Sequence, residues 1–151
     1  ETGDQYALLN NFEMVIHFDG DGQFNPHDIF GAIRKIESGE FDVILGSRFL
    51  DNRSKLPILK KYFIIPVARM INYFFTGLWL TDAHNGFRIF NRKALYKIRI
   101  SQDGMAHNTE IVKQIKKNGL HFSEYPVEVK YKEFGQGIGS GLKIIWDLLV
   151  K

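Results

Sequence analysis

The densest chemical signal in this sequence is Asp19-Gly20-Asp21-Gly22-Gln23, which follows directly on the apolar run Glu13-Met-Val-Ile-His-Phe18. That run reads as a short buried strand, so two carboxylates one residue apart stand at a strand's C-terminal end. Hard oxygen donors in that arrangement, with glycines that let the main chain turn and come close, suit Mg2+ or Mn2+ held together with substrate phosphates. Open α/β sheets also bind their ligands at that end of their strands. The plainer alternative is an Asp-Gly turn with solvated acids. His17 shares the alternation of Asp19 and Asp21, which makes a His-Asp-Asp metal cluster conceivable, although a strand histidine facing its neighbours is the simpler reading.

Gly46-Ser47-Arg48 closes the next apolar run, which brings Arg48 to the same sheet edge as Asp19 and Asp21. A guanidinium there can grip a phosphate with two parallel hydrogen bonds, or it can pair with one of the many acids of this half. Thr81-Asp82-Ala83-His84-Asn85-Gly86-Phe87-Arg88 is a polar, turn-like stretch between a very apolar segment and another strand. On their own, Asp82 and Arg88 fit a cap and a surface charge as well as functional groups. The glycines from Gly135 to Gly141 are spaced like a phosphate cradle but lack the Gly-Lys-Ser/Thr that would complete one, so this stretch reads as a lid or linker. His27, His84, His107 and His121 show no ligand spacing.

The elements that must position these residues follow from periodicity. A helix ends near residue 10, and strands are predicted at 13–18 and 42–47. Asn25-Pro26 opens a helix whose apolar face is Ile29, Phe30, Ile33 and Ile36. Strand, helix and strand in about thirty residues make a βαβ unit and predict a parallel sheet. Leu56 to Leu80 approaches membrane-spanning length, but Lys60, Lys61, Arg69 and Asn72 interrupt it and Pro66 lies inside it. Phe63, Val67, Ile71, Phe74 and Leu78 recur there at helical spacing. That pattern predicts a core-facing amphipathic helix or helix pair, with a helix lying in a membrane interface, anchored by Tyr73 and Trp79, as the alternative. A strand at 87–90, a short helix at 91–98, a helix at 109–118 closed by Gly119, a half-exposed or edge strand within 121–131 and a helix at 142–149 complete the reading.

Length and composition bound the rest. A chain of 151 residues, 44% apolar and 25% charged, is expected to form one globular domain with a core of its own. With no cysteine, a disulfide scaffold, a cysteine zinc site and a cysteine nucleophile are all excluded. The opening Glu1-Thr2-Gly3-Asp4 carries neither a secretory signal nor a transit peptide and reads as the inside of a longer chain. Residues 1–51 hold three basic against ten acidic side chains, a net −7, and residues 52–151 seventeen against seven, a net +10. That asymmetry points to an anionic partner met by the second half, with nucleic acid, an anionic membrane surface and a phosphorylated substrate all open at this stage.

Taken in order, Asp-x-Asp-Gly-Gln after a strand, Gly-Ser-Arg after the next, Asp82 with Gly86-Phe87-Arg88, and Glu124-Tyr-Pro-Val127 resemble the family 2 glycosyltransferases of the GT-A fold, and among them the polyprenyl-phosphate sugar synthases. The likeness runs from about residue 3 to 150. It implies an α/β, partial GT-A (Rossmann-like) fold with a mainly parallel sheet, in which 1–151 is the C-terminal portion of a single domain and the N-terminal nucleotide-binding βαβ half is missing. It implies an enzyme that transfers a sugar from a nucleotide-sugar donor to a polyprenyl phosphate, with 1–151 inactive by itself. A family 2 transferase using a hydroxyl acceptor, a Mg2+ phosphohydrolase and a non-catalytic interaction module are the rival readings. Carried over by residue, Asp19 and Asp21 resemble the metal ligands for Mg2+ or Mn2+, and Gln23 their partner at the metal and diphosphate. Arg48 resembles the arginine that binds the acceptor phosphate, and Lys60 and Lys61 fall near a second basic position. Asp82 resembles the acidic residue of the acceptor loop and Arg88 the basic residue after it, both in catalytic roles. The partners implied are a nucleotide-sugar donor, an isoprenoid lipid phosphate and a membrane surface, with no nucleic acid, at a cytoplasmic location peripheral to or anchored at a membrane.

Overall fold

In the computed structural model, residues 2–51, 53–54, 62–63, 65–100 and 106–130 are described. Helix α1 (Thr2–Leu9) turns through Asn11, whose positive φ an asparagine tolerates, into strand β1 (Met14–His17). Helix α2 (His27–Glu37) begins after Asn25-Pro26. The Asn25 side chain accepts the His27 N–H at 3.1 Å and its carbonyl accepts the Asp28 N–H at 3.1 Å, so a short polar residue satisfies amides that the helix leaves unpaired. Strand β2 (Val43–Ser47), helix α3 (Ile65–Thr76) and strand β3 (Arg88–Asn91) follow. Asn91 then caps helix α4 (Arg92–Lys97), its side chain accepting the Ala94 N–H at 2.9 Å. Helix α5 (Ala106–Lys117) stops at Gly119, whose φ of 58° suits a residue without a Cβ, and strand β4 (Phe122–Pro126) ends the described sheet.

The strands lie in the order β1-β3-β2-β4. β3 is antiparallel to both β1 and β2, and only β2 and β4 pair in parallel. The expectation of a mainly parallel sheet is therefore corrected. β1, β2 and β4 do point the same way, as the βαβ reading requires, but β3 is inserted between β1 and β2 running against them. Its first residue, Arg88, pairs with His17 at the end of β1 and with Leu45 near the end of β2. The chain thus re-enters the sheet at the edge where β1 and β2 stop, and from that edge β3 can run only backwards.

Both faces of the sheet are covered, which explains why β2 is buried throughout and apolar from Val43 to Leu45. Val43, Leu45 and Phe90 pack with Leu95 of α4 and with Ile111, Val112 and Ile115 of α5, while Ile44 and Ile89, with Phe87 just ahead of β3, pack with Ala32 and Ile36 of α2. β4 is a half-buried strand at the end of the sheet, as its partial alternation predicts. Two expectations about apolar faces are corrected. On α2, Ile36 is buried and Ile29 and Ile33 pack against the core as expected, but Phe30 is exposed and Ala32 takes the buried place. In α3 the buried residues are the polar Asn72 and Thr76, while Val67, Met70, Tyr73, Phe74 and Phe75 are exposed. Asn72 and Thr76 face inward because they have partners there: the Asn72 amide donates to the Leu78 carbonyl and the Thr76 hydroxyl to the Asn72 carbonyl. The glycine-rich stretch 135–141, the predicted helix 142–149, Lys60 and Lys61 all lie outside the described residues.

Candidate functional site

β1 ends at His17, and the chain then turns through Asp19 to Gln23. The Asp21 side chain accepts the Gln23 N–H at 2.9 Å, the Gln23 carbonyl accepts the Lys130 N–H at 2.9 Å, and Phe24 bridges to Val129. The acidic turn is in this way tied to the segment that follows β4. Asp19 rests against Gly86, where a Cβ would lie 2.2 Å from its Oδ2. His17 is not part of this group, because its Nε2 lies 2.8 Å from Asp4 Oδ1 and burial, the largest influence on Asp4, is outweighed by His17, leaving the Asp4 pKa lowered. The conceivable His-Asp-Asp cluster is accordingly not formed.

From the end of β2, Arg48 meets Asp82. Its Nε donates to Asp82 Oδ2 at 2.7 Å, its Nη2 to Oδ1 at 2.8 Å and its main-chain N–H to Oδ2 at 3.1 Å, with the Asp82 side chain only 3% exposed. Such a two-pronged guanidinium–carboxylate pair fixes both groups in direction as well as in place. The Asn85 amide also donates to Asp82 Oδ2 at 3.1 Å, while its oxygen accepts the Phe87 N–H at 2.9 Å. Gly46 leaves room for this loop, since a Cβ there would stand 2.9 Å from the Phe87 Cβ and 3.0 Å from the Asn85 oxygen.

Arg88 is the largest buried side chain among the described residues at 2% exposure, and it donates to the Asn108 side chain on α5. Burial lowers its pKa to about 10, against the opposing pull of the Asp19 and Asp82 carboxylates, and it stays charged at neutral pH. His84 lies among the same charges. Its pKa is lowered by burial first, with Asp82 opposing and Arg88 and Arg48 adding to the shift, and its Nδ1 is buried without a hydrogen-bond partner among the described residues.

Asp19, Arg48, Asp82 and Arg88 therefore converge at the edge where β1 and β2 end and β3 begins, with the Asp21–Gln23 turn on the same connection as Asp19. Asn85, Gly86, Asn108 and Glu124 complete the arrangement without having been singled out as site residues by the sequence. For Asn85, Gly86 and Glu124 a signal existed in the polar turn and in the Glu-Tyr-Pro-Val motif, whereas Asn108, just ahead of the predicted helix and in the first turn of α5, gave none. Among the described residues no group of three or more His, Asp or Glu side chains assembles as a metal cage. Two hard carboxylates on one turn instead fit an ion such as Mg2+, which keeps waters and substrate phosphate oxygens in its shell.

A family model described as Glycosyl transferase family 2 matches residues 11–99. The chain is 29% identical to an uncharacterised protein of Methanocaldococcus jannaschii, over 99% of this chain and 65% of that one. It is 28% identical to the UDP-N-acetylglucosamine–dolichyl-phosphate N-acetylglucosaminyltransferase of Methanococcus voltae, over 99% of this chain and 62% of that one. To the polyprenol monophosphomannose synthase of Mycolicibacterium smegmatis it is 22% identical, over 95% and 55%. The chain thus spans less than two thirds of the length of these relatives.

Proposed function

This chain belongs to glycosyl transferase family 2, and from that premise we propose that the full-length protein transfers a sugar from a nucleotide-sugar donor to a polyprenyl phosphate at the Asp19–Asp82 cluster. The observation that carries the lipid acceptor is the aromatic face of α3. On α3, Phe74 is 84% exposed and Met70, Tyr73 and Phe75 are exposed too, as are Phe63 ahead of the helix and Trp79 after it, and the chain passes from this helix through Leu78 to Leu80 straight into Thr81 and Asp82. An exposed apolar helix face rimmed by tyrosine and tryptophan suits the boundary of a bilayer, where an isoprenoid tail also lies. Among the described residues no helix is long and apolar enough to cross a membrane.

Arg48 is the residue that meets the acceptor phosphate, oriented for it by Asp82. Asp82 itself already accepts from the Arg48 main chain, the Arg48 guanidinium and Asn85, which leaves it poorly placed to take a proton. A phosphate monoester needs no base, because its second pKa near ~6 leaves it mostly dianionic at neutral pH. This favours a phosphate over a hydroxyl acceptor. Asp19 and Asp21, with Gln23 on the same turn, would hold Mg2+ or Mn2+, which when bound offsets the charge growing on the leaving diphosphate. The buried Arg88 guanidinium attracts the Asp19 carboxylate from beneath the turn's edge of the sheet.

The test is transfer of radiolabel by the full-length protein from UDP- and GDP-sugars to dolichyl or undecaprenyl phosphate, set against glycan acceptors. Label in the lipid phase that depends on a divalent ion supports the reading. Label found only in glycan, or released only as free sugar, overturns it. Association with the membrane is read separately by flotation with anionic liposomes, where Phe74→Glu is expected to weaken binding.

A further inference from the structure

We propose that Glu124, on β4, is a positioning residue for the acceptor site, its carboxylate fixing the Thr81–Asp82 main chain so that Asp82 presents Arg48. This rests on the reading of Arg48 and Asp82 as the place where the acceptor phosphate is met. One oxygen carries the whole arrangement. Glu124 Oε1 accepts the Thr81 N–H at 2.8 Å, the Thr81 hydroxyl at 2.6 Å and the Asp82 N–H at 3.3 Å. These are the amides of the residue that grips Arg48 and of the residue before it, and no hydrogen bond of a regular strand or helix is available to them in this turn.

Proton bookkeeping gives the network a direction. The Thr81 hydroxyl has one proton and gives it to Glu124, so in its contact with Ser47 Oγ it can only accept. Ser47 therefore donates to Thr81, and Ser47 Oγ in turn accepts the Phe49 N–H at 3.2 Å. Hydroxyls oriented in series toward a carboxylate reinforce one another. The series links β4 to the loop and the loop to the last residue of β2, immediately before Arg48. The strand register makes this possible: Glu124 pairs with Leu45 and Pro126 with Ser47, so the Glu124 side chain begins two residues short of the end of β2 and reaches forward to the loop. Glu124 is thus held by a strand on one side and holds both partners of the Arg48–Asp82 pair on the other.

A residue acting this way should change acceptor use and leave donor use alone, and its effect should vanish once Arg48 is gone. The experiment is steady-state transfer by the full-length protein, with the KM for acceptor and for nucleotide sugar measured separately in Glu124→Ala, Glu124→Gln, Arg48→Ala and the Glu124→Ala/Arg48→Ala double variant. Glu124→Ala is expected to raise the acceptor KM roughly ten-fold, as loss of a charge-assisted contact would, with the donor KM unchanged. Glu124→Gln, which keeps an acceptor oxygen at the same reach, is expected to restore most of that loss. Adding Glu124→Ala to Arg48→Ala is expected to cost nothing more. An unchanged acceptor KM, an equal rise in both KM values, or additive losses in the double variant would each overturn the proposal. Should Glu124→Ala fail to fold, Thr81→Val removes the hydroxyl from the series while keeping the amide, and it must show the same split between acceptor and donor. If the wild-type protein proves to use a glycan acceptor, the lipid-phosphate reading fails in that measurement alone, and the Glu124 split is then read with the glycan.

Discussion

Gly86 offers a test of the metal-side geometry that needs no change to any charged residue. A Cβ at this position would lie 2.2 Å from Asp19 Oδ2, 2.8 Å from its Cγ and 3.0 Å from its Oδ1. Ordinary contact starts near 3.4 Å, and the difference between 3.4 and 2.2 Å requires the carboxylate to retreat by about 1.2 Å. Gly86 does not have a positive φ, so its backbone accepts alanine and the methyl group probes only the space held by Asp19. Asp19 is exposed, but the pull between its carboxylate and the buried Arg88 guanidinium opposes the retreat. Displacement of a reacting constellation by about 1 Å costs on the order of 100-fold in rate, and forced overpacking costs about 1–3 kcal/mol in stability. Gly86→Ala in the full-length protein is therefore expected to lose about two orders of magnitude in metal-dependent transfer, with a raised apparent requirement for Mn2+ in titrations of initial rate. Its melting temperature should fall, and that fall should disappear in an Asp19→Ala background, where the methyl group enters the vacated space. Turnover within about three-fold of wild type, or an equal stability penalty with and without Asp19, would refute the close placement of Asp19 on Gly86.

Three further outcomes follow from the same charges. Arg88→Met removes the buried cation that attracts Asp19 and Asp82 and leaves the buried Asn108 side-chain oxygen without its donor, and it is expected to destabilise the protein by about 1–3 kcal/mol, measured by urea unfolding. Asp82→Asn, turned so that its oxygen replaces Oδ2, keeps the Arg48 N, Arg48 Nε and Asn85 bonds and loses the Nη2 bond, so it should retain more transfer than Asp82→Ala and show no loss of a basic limb in its pH–rate profile. His84 has its pKa lowered in the folded protein, so as pH falls below its ordinary value the unfolded chain takes up a proton that the folded one refuses. Stability should decline from near ~6.5 downward, and His84→Gln should flatten that decline in denaturant titrations across the range.

What the sequence made legible was local. The strand before Asp19, the Asn25-Pro26 helix start, the fully buried β2 and the Gly119 stop each follow from spacing and punctuation within a dozen residues, and the structure agrees with them. Strand direction was not legible, because the order of β1 and β2 is set by β3, whose insertion depends on a crossover of some forty residues. The stripe on α3 was legible as a stripe, but periodicity does not say which face meets the core. Asn72 and Thr76 decided that by finding local partners, which left the aromatic face outside. The Asp82–Arg48 and Asp82–Glu124 contacts join residues 34 and 42 apart, and such pairings leave no periodic trace. Taken alone, Arg88 fitted a surface charge as well as a functional group for the same reason, since the Asn108 that receives it sits on another element.

The antiparallel entry of β3 also explains the charge balance of the site. Because β3 starts where β1 and β2 stop, the loop before it brings Asp82 and Arg88 to the edge that already carries Asp19, Asp21 and Arg48. Those described groups amount to three carboxylates against two guanidiniums, and both guanidiniums face carboxylates, Arg48 pairing directly with Asp82 and Arg88 pulled on by Asp19 and Asp82. His84, its pKa lowered, adds no positive charge at neutral pH. A diphosphate entering such an edge brings more negative charge to described groups whose count is already net negative. The arrangement is therefore suited to a sugar donor that arrives with a divalent cation, and poorly suited to one held by protein cations alone. Chelation is accordingly expected to stop transfer altogether, and added monovalent salt or polyamine should not restore it, whereas Mn2+ should.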